Sequence, residues 1–92
     1  MRVRWSAPAL GDLQNISSYL ETATSLRAAN RITLAIYDAV QSLKTLENRG
    51  RPGRRSDTRE LVISKLPYII VYRVLPDMVE VIRVLHGAQK WP

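Results

Sequence analysis

One histidine, His86, stands in a chain where eleven of the fourteen basic residues are arginine. With the tyrosines of the apolar runs, these are the side chains able to do chemistry. A base that takes the 2′-hydroxyl proton of RNA, arginines that stabilise a pentacoordinate phosphorane and an acid that protonates the leaving 5′-oxygen would make a metal-free ribonuclease. His86, Arg83, Arg73 and Arg59 are the group that could share those roles. Arg73 and Arg83 each interrupt an apolar run, and neighbouring strands would put them on one face. The same residue types are equally the usual anchors of a protein interface. His86 itself, closing the apolar run of "VIRVLHGAQKWP", fits a base, a docking contact or a packing residue at a strand end.

Other chemistries are excluded by what is missing. The sequence has no cysteine, so a disulfide or thiolate metal site is impossible, and a single histidine argues against zinc. No metal or cofactor is therefore expected. There is no GxxxxGK[ST], GxGxxG or HExxH motif. The acids are dispersed, with Glu60, Asp77 and Glu80 near turns or on alternating strand positions, which does not suit a metal-dependent nuclease. The start "MRVRWSAPAL" lacks the apolar run of a signal peptide, and no stretch approaches the roughly 20 apolar residues that span a bilayer. A soluble cytoplasmic protein with no membrane partner is the expectation.

Charge is concentrated. The chain carries +6, and +4 of it falls in "RGRPGRRSDTR", residues 49–59, with five arginines and one aspartate. Arginine favours planar, bidentate contact with carboxylate or phosphate. A solvated loop is the bland reading. The functional one is an anionic partner, either nucleic acid or an acidic protein surface.

The elements that must position these residues follow from hydrophobic period. "RVRW" alternates charged and apolar residues and predicts a short edge strand with Val3 and Trp5 inward. Ser6 and Pro8 open a helix carrying Leu10, Leu13, Ile16 and Leu20 on one stripe. Thr24 or Ser25 caps a second helix, whose apolar stripe from Ala29 to Leu46 predicts a C-cap at Arg49 and Gly50. Then the period changes: "RELVIS", "YIIVYRV" and "MVEVIRVLH" read as strands joined by the short connections "KLP" and "LPD". The middle strand is apolar on both faces and belongs at the centre of the sheet. The sum is one α+β domain over residues 1–92, ordered β-α-α-β-β-β, with a helical hairpin on one face of a small antiparallel sheet and an irregular arginine-rich loop at 49–58.

Read together, these segments resemble the toxins of bacterial type II toxin-antitoxin modules in the RelE/ParE superfamily. The resemblance spans nearly the whole chain. It rests on Trp5 followed by Ala9, Asp12, Leu13, Ile16, Tyr19 and Leu20, on "GR" ahead of "RELVI", on "PYIIVYRV", and on "VEVIRVLHGAQKWP". It implies a compact toxin silenced by a cognate antitoxin. Within the superfamily, RelE-like members cut mRNA in the ribosomal A site with basic groups on the strands matching 59–65 and 68–74. Here those positions hold Glu60, Val62 and Ile69. ParE-like members instead bind and poison DNA gyrase, and the wording of the last two segments is closer to theirs. On that footing Gln89, Lys90 and Trp91 become target contacts. Arg49, Arg51, Arg54 and Arg55 are expected to meet an acidic antitoxin segment at an apolar groove between hairpin and sheet. His86, Arg83, Arg73 and Arg59 would be catalytic only in the ribonuclease alternative.

Overall fold

The computed structural model describes residues 1–63, 65–87, 89 and 91. Strand β1 (Arg2–Trp5) leads into helix α1 (Ala7–Ala23), and helix α2 (Leu26–Gln41) follows after a two-residue break. Both helices start where capping chemistry dictates. The Ser6 and Ser25 hydroxyls accept hydrogen bonds from the Ala9 and Ala28 amides at the first turns, and Pro8 occupies a position that needs no amide donor. Ala9 and Ala29, both fully buried, let the hairpin pack closely, while Ile36 and Val40 face the sheet.

The second helix ends earlier than its apolar stripe suggests. It stops at Gln41, and a 3₁₀ turn, Ser42–Lys44, seats Leu43 in the core while Leu46 is left exposed. Gly50 is therefore no helix cap. It is buried against Tyr72, where a Cβ would lie 2.8 Å from the phenolic oxygen, so the close approach itself demands glycine.

Strands β2 (Arg51–Pro52), β3 (Arg59–Val62), β4 (Tyr68–Val74) and β5 (Met78–His86) complete a five-stranded sheet in the order β1-β5-β4-β3-β2. The expected wholly antiparallel sheet is corrected to a mixed one, because β1 runs parallel to β5. Parallel neighbours need a long connection, and here the helical hairpin and strands β2 to β4 all lie between β1 and β5 in the chain. The arginine-rich stretch is likewise not all loop: Arg51 and Pro52 pair with Glu60 and Arg59 to form an edge hairpin. β4 lies at the centre, as its two apolar faces require. Tyr68, Ile70 and Tyr72 point to the helices with Leu61, Val79, Val81 and Val84.

One irregularity sets the aim of β5. Tyr72 pairs with Val81 but Val71 with Arg83, which leaves Ile82 as an extra residue. Such a bulge resets the alternation of faces. Val79, Val81 and Val84 therefore all reach the core despite their uneven spacing, and Arg83 is carried towards α1.

Candidate functional site: the open sheet face and the arginine turn

The sheet face away from the helices is built from Ile69, Val71 and Leu85 at one end and Arg73, Glu80 and Ile82 at the other, with Trp91 and the 53–58 turn lying across it. Glu80 is its electrostatic centre. The carboxylate is buried and accepts hydrogen bonds from the guanidinium groups of Arg4 and, at 2.9 Å, Arg73. The bond from Arg4 holds the Glu80 carboxyl below its ordinary range; burial opposes this and Arg73 reinforces it. Glu80 is accordingly a fixed negative charge between two half-exposed arginines, which suits positioning and not proton transfer at neutral pH.

A second carboxylate, Glu60, repeats the pattern near the arginine turn. It pairs with Arg51 at 3.1 Å and accepts from the Arg54 backbone amide at 3.4 Å. The Arg55 guanidinium stands 5.6 Å from the centre of the half-buried Trp91 ring, within cation-π range. Gln89 anchors the start of the tail by accepting the His86 amide hydrogen at 2.7 Å. Lys90 lies outside the described residues.

Three of the four arginines assigned to the antitoxin, Arg51, Arg54 and Arg55, thus gather with Trp91 at the rim of the open face. Arg49 does not. Its guanidinium donates to the Ser42 hydroxyl at 2.8 Å, at the end of α2. The three rim arginines border the helix-free side of the sheet, not a groove between hairpin and sheet.

The four ribonuclease candidates are dispersed. His86 pairs with Tyr68, against whose ring it packs edge-on at 5.9 Å, whereas Arg59 pairs with Tyr72 and Arg73 lies one residue further along β4. At about 3.3 Å per residue along a strand and about 4.8 Å between strands, these backbone positions are roughly 16 and 17 Å from that of His86. Arg59 donates to the carbonyls of Asn48 and Gly50. Arg83 forms a two-point pair with Asp12 of α1 at 2.7 and 2.9 Å, which raises its pKa, and the Val84 amide donates to the same carboxylate. Arg73 and Arg83 therefore do not share a face, because the Ile82 bulge separates their directions.

Sequence reasoning missed Arg4 and Glu80 as site residues. Their signal was the charged half of the "RVRW" alternation and the single acid within "VEVIRV". No cluster of three or more metal-ligating side chains occurs among the described residues, and none of the described helices is long and apolar enough to cross a membrane.

Residues 3–91 match the family model described as ParE toxin of type II toxin-antitoxin system, parDE, and the chain belongs to that family, within the ParE/RelE superfamily. It is 44% identical over 99% of its length to Y4kP of Sinorhizobium fredii, a provisionally named toxin of which it covers 93%. Toxin RelE2 of Caulobacter vibrioides is 36% identical over 96% of this chain and 97% of the relative. In fold, it is similar to a chain of the chromosomal ParDE system from P. aeruginosa, with TM-score 0.88 and 23% identity over 94% of this chain and 95% of that one. A chain of the RelBE2 toxin-antitoxin complex from Mycobacterium tuberculosis superposes with TM-score 0.65 and 23% identity, covering 92% and 95%.

Proposed function

We propose that this toxin acts by binding, as an inhibitor of DNA gyrase in the bacterial cytoplasm, and that a cognate antitoxin silences it. The observation that carries the reading is the dispersal of His86, Arg83, Arg73 and Arg59. A nuclease needs its base, acid and phosphate-binding groups within hydrogen-bond reach of one phosphodiester, about 2.6–3.2 Å from the atoms they serve. Here the histidine is one strand-length from Arg73, while Arg83 and Arg59 hold Asp12 and two backbone carbonyls. A protein that poisons its target by docking needs no such convergence. Gln89, Lys90 and Trp91 are then the target-contacting tail, and Arg49, Arg51, Arg54 and Arg55 the contacts for an acidic antitoxin.

The test is expression of the toxin alone, followed by gyrase supercoiling and ribosome-bound mRNA cleavage assays. Supercoiling should be inhibited, and His86→Ala should leave toxicity nearly unchanged. Ribosome-dependent cleavage of mRNA that His86→Ala lowers about 10²-fold would overturn the reading. That alternative, a RelE-like endoribonuclease, is favoured by one observation, the kinship with the relative named RelE2. For the antitoxin contact, replacing Arg49, Arg51, Arg54 and Arg55 by Gln should weaken the complex and flatten its salt dependence.

A further inference from the structure

We propose that the open sheet face holds the phosphate backbone of duplex DNA, a binding site that goes beyond the gyrase and antitoxin readings and depends on neither. Its frame is a cross-strand row. Arg4 of β1 pairs with Glu80 of β5, and Glu80 with Arg73 of β4, so two arginines stand on either side of one carboxylate. Both guanidinium groups donate to it, yet they remain 58% and 46% exposed. A guanidinium carries five N–H donors, so each keeps some for a second anion. Beside Arg73 the same hollow is bordered by the 53–58 turn, where Arg54 and Arg55 form no ion pair among the described residues.

Charge on this face does not cancel. Arg51 with Glu60 and Arg2 with Asp77 are matched pairs, which leaves Arg4, Arg54, Arg55 and Arg73 against Glu80 and Asp57. From β1 to β3 is three strand spacings, roughly 14 Å, and a duplex laid across that width passes about eight phosphate charges. The arginines and not the phosphates therefore limit the contact. Two features select a duplex over other polyanions. Single strands are held by bases stacked on exposed aromatic rings. The one aromatic residue among those described around this hollow, Trp91, is half-buried with the Arg55 guanidinium 5.6 Å from its ring centre, and Tyr68 and Tyr72 are buried on the helix side. A folded acidic protein seated here would need an apolar anchor at the centre of its contact. The centre is instead the Glu80 ion cluster, which suits an anion whose sequence is not read.

The experiment measures binding of the full-length toxin, without antitoxin or gyrase, to a short fluorescent DNA duplex by anisotropy over a series of salt concentrations. The logarithm of affinity should fall against that of salt with a slope of about −3 to −4, from roughly 0.9 per phosphate contacted. Arg54→Gln with Arg73→Gln should weaken binding about tenfold and make the slope shallower by about 2. Arg27→Gln with Arg31→Gln removes the same charge from exposed positions of α2, on the helix side, and should leave the slope unchanged. Equal losses from the two double variants would assign the binding to net charge alone and overturn the proposal. So would absence of binding at low salt, or tighter binding of single-stranded DNA or RNA than of the duplex. If Arg73→Gln unfolds the sheet by stripping Glu80 of a partner, Arg54→Gln with Arg55→Gln, both in the exposed turn, makes the same comparison.

Discussion

Glu80 and Tyr72 are two polar residues on opposite faces of the sheet, and each makes a separate demand on stability. The Glu80 carboxyl titrates below its ordinary value in the folded state, chiefly because Arg4 donates to it. Its contribution is present above the unfolded value, about 4.3, and is lost as pH falls through the folded one. Glu80→Gln should therefore cost about 1–2 kcal/mol at pH 7, discounted because Arg4 and Arg73 are half-exposed, and should flatten the acid limb of a urea-midpoint profile below pH 5. Tyr72 is fully buried; its hydroxyl donates to the Glu47 carbonyl at 2.9 Å and accepts from the Gly50 amide at 2.8 Å. Tyr72→Phe would leave both unpaired and should cost about 1–3 kcal/mol by chemical denaturation. Burial raises the Tyr72 pKa, so the wild type also loses this contribution as pH climbs above about 10, a decline the Phe variant should lack. Tyr72 was readable as an inward residue of β4, but its partners were not. They come from a chain reversal 22 and 25 residues away that no local pattern announces.

At the scale of elements, the two helix starts make a controlled comparison. Ser25 makes one capping bond, from Ala28, whereas Ser6 caps Ala9 and also donates to the Ile82 carbonyl at the bulge. Ser25→Ala should cost about 1 kcal/mol and Ser6→Ala about 2 kcal/mol, measured by thermal or urea unfolding. These starts were legible because capping is a local matter, and so were β3, β4 and β5, whose β-branched runs stand between proline-containing turns. Three features were not. The end of α2 depends on where Leu43 meets the sheet, β2 has only two residues and takes its form from β3, and the Ile82 bulge is fixed by the competing demands of Val81 and Val84 for the core. The parallel direction of β1 is also a tertiary choice, made by its pairing with β5, the last strand in the chain. Candidate site residues were legible as types but not as a constellation, since the bulge and the Asp12 pair decide where Arg83 points.

For the whole molecule, the tail and the body are separable. Trp91 is half-buried on the open face and held by Arg55, so removing Gln89 to Pro92 should cost the fold only about 1–3 kcal/mol. Under the docking reading, toxicity should fall far more than stability, and gyrase supercoiling assays on the truncated protein will show whether it does. The parallel register of β1 on β5 has a mechanical consequence as well. A pull applied between Arg2 and His86 drags the two strands past each other, and the four residue pairs from Arg2↔Met78 to Trp5↔Val81 carry the load together. A pull between Tyr68 and His86, which face each other at one end of the β4 and β5 ladder, parts the strands one pair at a time. Force spectroscopy on one protein with the two attachment geometries should therefore record a stiff, high-force rupture for the first and a compliant, low-force opening for the second, with the direction of load and not the number of hydrogen bonds setting the strength.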